Sequence, residues 1–193
     1  FSGVCTSSGY QDGTQAKFHH PGSIIRDNQN SNQLLVFDEN NNAIRTVSVS
    51  NGLVGTLLQS STILYPQSLT QNTAGDIFVT NNYAVYLINY TEKAITLIAG
   101  SPSTRGYRDG SLLNSLFQYP QELVFIQKNK LLIADLHNNK LRLIDLDEDK
   151  VTTLNLCNGC VSLLWPYSIM LTNDSLYVGL YQMILRFKRK FSV

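Results

Sequence analysis

Gly9-Tyr10-Gln11-Asp12-Gly13, Phe18-His19-His20-Pro21, Leu34-Leu35-Val36-Phe37-Asp38 and Asn41-Asn42-Ala43-Ile44-Arg45 follow one another near the start of the chain. The same text returns as Gly106-Tyr107-Arg108-Asp109-Gly110, Phe117-Gln118-Tyr119-Pro120, Leu131-Leu132-Ile133-Ala134-Asp135 and Asn138-Asn139-Lys140-Leu141-Arg142. Most matching positions lie 97 residues apart, and degenerate copies fill the interval and follow the second copy. Self-similarity at a fixed period means that one supersecondary unit is stacked on copies of itself. It also limits what the repeat says about activity, because repeat scaffolds carry many unrelated functions.

Working outward, a proline precedes a short apolar segment four times, at Pro21, Pro66, Pro120 and Pro166, with spacings of 45, 54 and 46 residues. A second apolar segment follows each: Leu34 to Phe37, Ile77 to Thr80, Leu131 to Ala134 and Leu176 to Gly179. A third comes next, at Ala43 to Val49, Val85 to Asn89, Lys140 to Asp145 and Met183 to Phe187. Leu53 to Leu58, Ala94 to Ala99 and Val151 to Leu156 close the first three units. β-Branched and aromatic residues dominate these segments and turn residues separate them, which predicts strands. Asn51-Gly52 predicts a type I′ hairpin. Ser111 to Phe117 is the helical candidate, no longer than a turn. No connection is long enough for parallel crossovers, so the strands are expected to meander antiparallel. Four strands per unit, with a period in the forties, is the pattern of a β-propeller blade.

At 193 residues, with 43% hydrophobic and 15% charged residues, the chain can bury a substantial core. The net charge of +1 supplies no global field for nucleic acid or an anionic membrane. No apolar run approaches the roughly 20 residues that span a bilayer, so no membrane insertion is expected. The chain begins at Phe1 and reads as a processed product or a piece of something longer. Cys157-Asn158-Gly159-Cys160 lacks a second ligand pair for zinc and the strand-to-helix setting of a redox motif; a local disulfide or free thiols remain open. Cys5 stands apart from both.

These residues resemble the NHL repeat family: G-Y-x-D-G, F-x-x-P, an apolar strand ending in Asp, N-N-x-[IL]-R, and a closing strand ending in Ala-Gly. The match is nearly complete in the units beginning at Gly9 and Gly106. It is partial around Pro66, where Asn81 and Tyr86 stand for Asp and Arg, and weaker in the last unit, where Leu180 replaces Asp but Arg186 remains. The resemblance implies an all-β propeller of four-stranded antiparallel blades, roughly 9–58, 64–100, 106–156 and 164–193. Phe1-Ser2-Gly3 aligns with Ile98-Ala99-Gly100, so residues 1–4 are expected to close the last blade. Because NHL propellers are usually six-bladed, the chain is either a compact four-bladed ring or part of a larger one.

The motif itself has a physical rationale. Asp38 with Arg45, and Asp135 with Arg142, are expected to face each other across neighbouring strands in charge-assisted bonds. Asp12-Gly13 and Asp109-Gly110 suit turns with a positive dihedral at Gly. These positions therefore read as scaffold.

Chemistry must then lie outside the motif. His19 and His20 point to opposite sides if extended, and with His137 they show no ligand spacing. Propeller lyases and hydrolases related to NHL proteins carry metal-ligating His and acidic residues near the channel, and no such set is placed here. Asp145-Leu146-Asp147-Glu148-Asp149 lacks the Gly and closing Glu of a calcium loop. Arg186-Phe187-Lys188-Arg189-Lys190 is a basic cluster confined to one edge, short of an RNA footprint. Asn89-Tyr90-Thr91 and Asn173-Asp174-Ser175 are glycosylation acceptors.

The reading is a non-catalytic binding or assembly module of a secreted or cell-surface protein. It is expected to carry no cofactor and to meet a protein partner, or neighbouring copies, through its loops. The candidate contact residues are Tyr10, His19, His20, Tyr83, Tyr107, His137, Trp165 and Tyr181, with Trp165 and Tyr181 as anchors because aromatics dominate interface energetics. The alternatives are a propeller lyase or hydrolase, a filament subunit and an RNA-binding propeller.

Overall fold

The computed structural model describes residues 7–155 and 163–188. Its strands form four separate antiparallel sheets. The first contains β1 (Pro21–Arg26), β2 (Gln33–Asp38), β3 (Ala43–Ser48) and β4 (Val54–Gln59) in that order. The second runs β5 (Ser68–Gln71), β6 (Ile77–Thr80), β7 (Ala84–Ile88), β8 (Ile95–Gly100). In the third, β9 (Gly110–Ser111) lies outside β13, giving the order β10 (Pro120–Gln127), β11 (Lys130–Asp135), β12 (Lys140–Asp145), β13 (Lys150–Thr153), β9. The fourth holds β14 (Ser168–Leu171), β15 (Ser175–Gly179) and β16 (Ile184–Lys188).

Burial explains the two kinds of apolar text. The second strand of a sheet is covered on both faces, so β11 is a solid run in which Leu131 through Asp135 are all buried. The first strand of the first sheet is half covered, and its residues alternate between exposed and partly buried.

Two compact units divide the chain, Phe1–Asn81 with Tyr86–Thr96, and Asn82–Val85 with Leu97–Val193. In the second unit Leu132, Ala134, Leu141, Ile169, Leu176 and Val178 form a core cluster. The first strands of neighbouring sheets are tied in the same way in both units. The Leu69 N–H donates to Ser23 Oγ at 3.3 Å, and the Ile169 N–H donates to Glu122 Oε2 at 2.7 Å.

The repeated Arg and Asp form a buried joint. Arg142, with no exposed surface, donates from Nη1 to Asp135 Oδ2 at 2.7 Å and to Leu116 O at 3.0 Å. Its Nη2 donates to Arg108 O at 2.9 Å and Asp109 Oδ1 at 2.7 Å, and Nε donates to Asp109 Oδ1 at 3.1 Å. The guanidinium lies 5.0 Å from the ring centroids of both Tyr107 and Phe117. Arg45 repeats the arrangement with Asp38, Asp12, Lys17 O and Gln11 O, between Tyr10 and Phe18. The Asp12-Gly13 and Asp109-Gly110 turns bring in the second carboxylate, with Gly13 at φ 99° and Gly110 at φ 140°.

Two local expectations change, and a third is met with an added strand. Asn51 keeps a negative φ while Gly52 sits at 70°, so the loop is not type I′. The Gly52 N–H closes on Ser48 O, and Asn51 Oδ1 accepts the Leu53 N–H, which fixes a longer turn. Ser111 to Phe117 contributes a 3-10 turn at Leu112–Asn114, preceded by β9, because the Gly110 conformation lets the chain pair with Val151 first. The strand expected over Val151 to Leu156 is observed as β13, Lys150–Thr153. The proposed closing strand at residues 1–4, and Cys5, Cys157 and Cys160, lie outside the described residues, as do Arg189 and Lys190.

Candidate functional site

In each sheet the residue before the proline carries a ring: His20, Tyr65, Tyr119 and Trp165. All four occupy the left-handed region, at φ 62°, 51°, 54° and 52°. A non-glycine residue there costs of order 1–3 kcal/mol and persists where its surroundings fix it. In the second unit those fixings are explicit. The Tyr119 N–H donates to Asn82 O at 2.8 Å, and Tyr119 O accepts the Leu136 N–H at 3.3 Å. The Trp165 N–H donates to Asn139 Oδ1 at 2.8 Å. Asn139 is itself left-handed at φ 54° and ends the 3-10 turn Leu136–Asn138, so the loop that presents His137 also anchors Trp165. In the first unit His20 O accepts the Glu39 N–H at 3.3 Å, and His20 Nδ1 pairs with Glu39 Oε2 at 2.5 Å.

These backbone choices bring rings together in the second unit. Tyr83 and Tyr119 meet edge to face at 5.6 Å between centroids, and Tyr119 and His137 lie 4.6 Å apart. His137 is 6.4 Å from Trp165, and Trp165 meets Tyr181 edge to face at 5.3 Å. The result is an unbroken aromatic ladder of five side chains. His137 is exposed, Trp165 is 45% exposed and Tyr181 64%. A hydrogen bond with Tyr83, reinforced by its charge, holds the Tyr119 hydroxyl above the usual phenol pKa, with Arg105 pulling the other way. The ladder contains four of the sequence candidates, Tyr83, His137, Trp165 and Tyr181. Tyr119 was missed, although a ring ahead of every repeat proline was a signal available in the sequence.

The remaining candidates are placed elsewhere. Tyr10 and Tyr107 flank the buried arginines, and their hydroxyls bond Thr56 Oγ1 at 3.0 Å and Thr153 Oγ1 at 2.8 Å, leaving one part of each ring exposed. His19 is exposed, and its backbone N–H donates to Asp38 Oδ1 at 2.7 Å. Asn173 is exposed at the β14–β15 turn. Asn89 is partly buried, and its Oδ1 accepts the N–H groups of Thr91 and Glu92.

Two polar features were not legible beforehand. In the first unit Asp27, 1% exposed, accepts from Gln71 Nε2 at 3.2 Å, the Gln29 N–H at 2.9 Å and Tyr90 Oη at 2.8 Å. Burial and the neighbouring Asp27 push the Tyr90 phenol up to about 12. In the second unit burial raises Glu122, partly offset by the Ile169 N–H that it accepts. Among the described residues no group of three or more His, Cys, Asp or Glu side chains is placed to hold a metal ion. Also among them, no helix is long and apolar enough to cross a membrane.

No family model and no curated protein matches the chain. Solved structures do. An auxiliary nutrient binding protein from Bacteroides ovatus superposes with a TM-score of 0.72 at 13% identity, covering 97% of this chain and 55% of that one. A gluconolactonase from Xanthomonas campestris gives 0.67 at 12%, covering 89% and 59%. A chain of the nidogen/laminin complex gives 0.55 at 10%, covering 90% and 78%. The fold is a β-propeller. The chain spans somewhat over half the length of the nutrient-binding and gluconolactonase chains, and at these identities the likeness concerns the fold.

Proposed function

We propose that this propeller is a non-catalytic binding module of a secreted or cell-surface protein, and that it engages a protein partner through the ladder loops of the second unit. The carrying observation is the ladder from Tyr83 to Tyr181, in which Tyr119 and Trp165 are held by left-handed backbone and neighbouring-loop hydrogen bonds. Rigid, half-exposed Trp and Tyr side chains supply contact area at small entropic cost, which is the composition of interface hot spots. Arg, Asp, Gly and Pro of the repeat are engaged in the joint and its turns, so the recognition surface falls on rings that lie outside the joint. The exposed Asn173 acceptor and the charge-poor surface support a secretory route. The nidogen/laminin chain is a propeller that takes part in a protein complex, which gives the reading a precedent within the fold.

The test immobilises the chain, captures proteins from an extracellular extract, and compares Tyr181→Ser with Glu92→Gln, an exposed substitution on the β7–β8 turn. Capture of a defined protein that Tyr181→Ser abolishes and Glu92→Gln retains is the expected result. Equal capture by both variants, or turnover of a lactone substrate by the wild type, overturns the reading.

A further inference from the structure

We infer that the occupant of the ladder is a proline-rich segment in the polyproline II conformation, belonging to the protein partner; this rests on the binding reading above. The first argument is spacing. Successive centroids lie 5.6, 4.6, 6.4 and 5.3 Å apart. A polyproline II chain rises about 3.1 Å per residue with three residues per turn, so the same face returns about every 9 Å, on the scale of two rungs of the ladder. The second is relief. Interplanar angles of 76°, 52°, 43° and 67° leave no pair stacked flat, so ring edges alternate with ring faces along the ladder. Aromatic-lined grooves take up pyrrolidine rings.

Polarity agrees. A polyproline II segment has no internal hydrogen bonds and presents its carbonyls outward. The Trp165 indole N–H and the Tyr181 hydroxyl can donate to them, and neither has a side-chain hydrogen-bond partner among the described residues. The ladder is formally uncharged when His137 is neutral, and Arg105 stands near its Tyr119 end, which disfavours an organic cation in a ring cage. Rigidity on both sides completes the case. The Tyr119 and Trp165 rungs are set by left-handed backbone and its hydrogen bonds, and the ligand conformation is preset by its prolines, so less freedom is lost on docking.

The chain holds one tryptophan, Trp165, and it lies within the ladder, so its emission reports occupancy directly. The experiment titrates the full chain with capped decaproline, with a Gly-Ser decapeptide and with a neutral hexasaccharide. Decaproline is expected to give a saturable change in Trp165 emission. Tyr181→Ser and His137→Ala, both at exposed positions, should weaken it by about ten-fold or more, and Glu92→Gln should leave it unchanged. Urea midpoints of the variants confirm that they remain folded. No saturable response to decaproline, a response unaltered by Tyr181→Ser, or a response to the hexasaccharide in its place overturns the inference. The two readings fail separately. Ladder-dependent protein capture without decaproline binding refutes the polyproline ligand and leaves the binding module standing. Loss of ladder-dependent capture refutes both.

Discussion

Arg142→Met tests the scaffold account where the structure makes it most quantitative. The wild-type guanidinium is fully buried and donates to two carboxylates, Asp135 and Asp109, and to the carbonyls of Leu116 and Arg108. Methionine fills much of the same space between Tyr107 and Phe117 but donates nothing. Asp135, with no exposed surface, then keeps Asn138 Nδ2 and the Gln118 N–H at 2.8 Å each, and loses its cation. Breaking a buried ion pair by removing one partner costs about 3–5 kcal/mol. At about 2–4 °C per kcal/mol for a chain of this size, Tm should fall by roughly 6–20 °C. Urea unfolding followed by Trp165 emission and by circular dichroism measures the loss. Asp135→Asn combined with Arg142→Met removes the stranded charge and should recover a large part of it, with a coupling of about 1–3 kcal/mol. A loss below about 1 kcal/mol for Arg142→Met, or a double variant no more stable than the single one, would refute the reasoning. Arg45→Met should cost less, because Arg45 Nε already has no hydrogen-bond partner.

Three further outcomes follow from the polar groups. Because the folded pKa of Glu122 is raised, the folded chain binds more protons than the unfolded one, and this residue's contribution to stability falls as pH rises from below its ordinary 4.5 through the raised value. Glu122→Gln keeps an acceptor for the Ile169 N–H, so its stability relative to wild type should increase between pH 4 and 7; a flat difference in urea midpoints across that range would contradict it. Tyr90→Phe deprives buried Asp27 of the 2.8 Å phenol bond and should destabilise by about 1–3 kcal/mol in equilibrium unfolding. Expressed through a secretory pathway, the chain should carry a glycan at exposed Asn173 and little at Asn89, whose amide oxygen already closes a turn; glycopeptide mass spectrometry showing the reverse would contradict this.

The repeat made the sheets legible because every copy must satisfy the same turns and register. Asp135 and Arg142 could be paired in advance since adjacent antiparallel strands carry them seven residues apart across a tight turn. What the chain hid is tertiary. The aromatic flanks on Arg45 and Arg142 place Tyr10 and Tyr107 beside the joint, a role that depends on how a distant turn folds back. Asp27, Gln71 and Tyr90 come from the loop after β1, the end of β5 and the β7–β8 turn and share no motif, so nothing local announces their network. Tyr119 was absorbed into the proline motif, and its membership of the ladder depends on a left-handed backbone held by Asn82 and Leu136. β9 joins the third sheet through Gly110, whose place after Asp109 signals only a turn in the sequence.

The central claim is that the ladder loops form the contact surface. Hydroxyl-radical footprinting of the chain alone and bound to its captured partner tests it directly, since Tyr, His and Trp side chains report their own exposure. The account predicts that oxidation of His137, Trp165 and Tyr181 is suppressed in the complex while Tyr10 and Tyr107 remain as reactive as in the free chain. Unchanged oxidation of the ladder, with protection at the β7–β8 turn or along β16 instead, would contradict it.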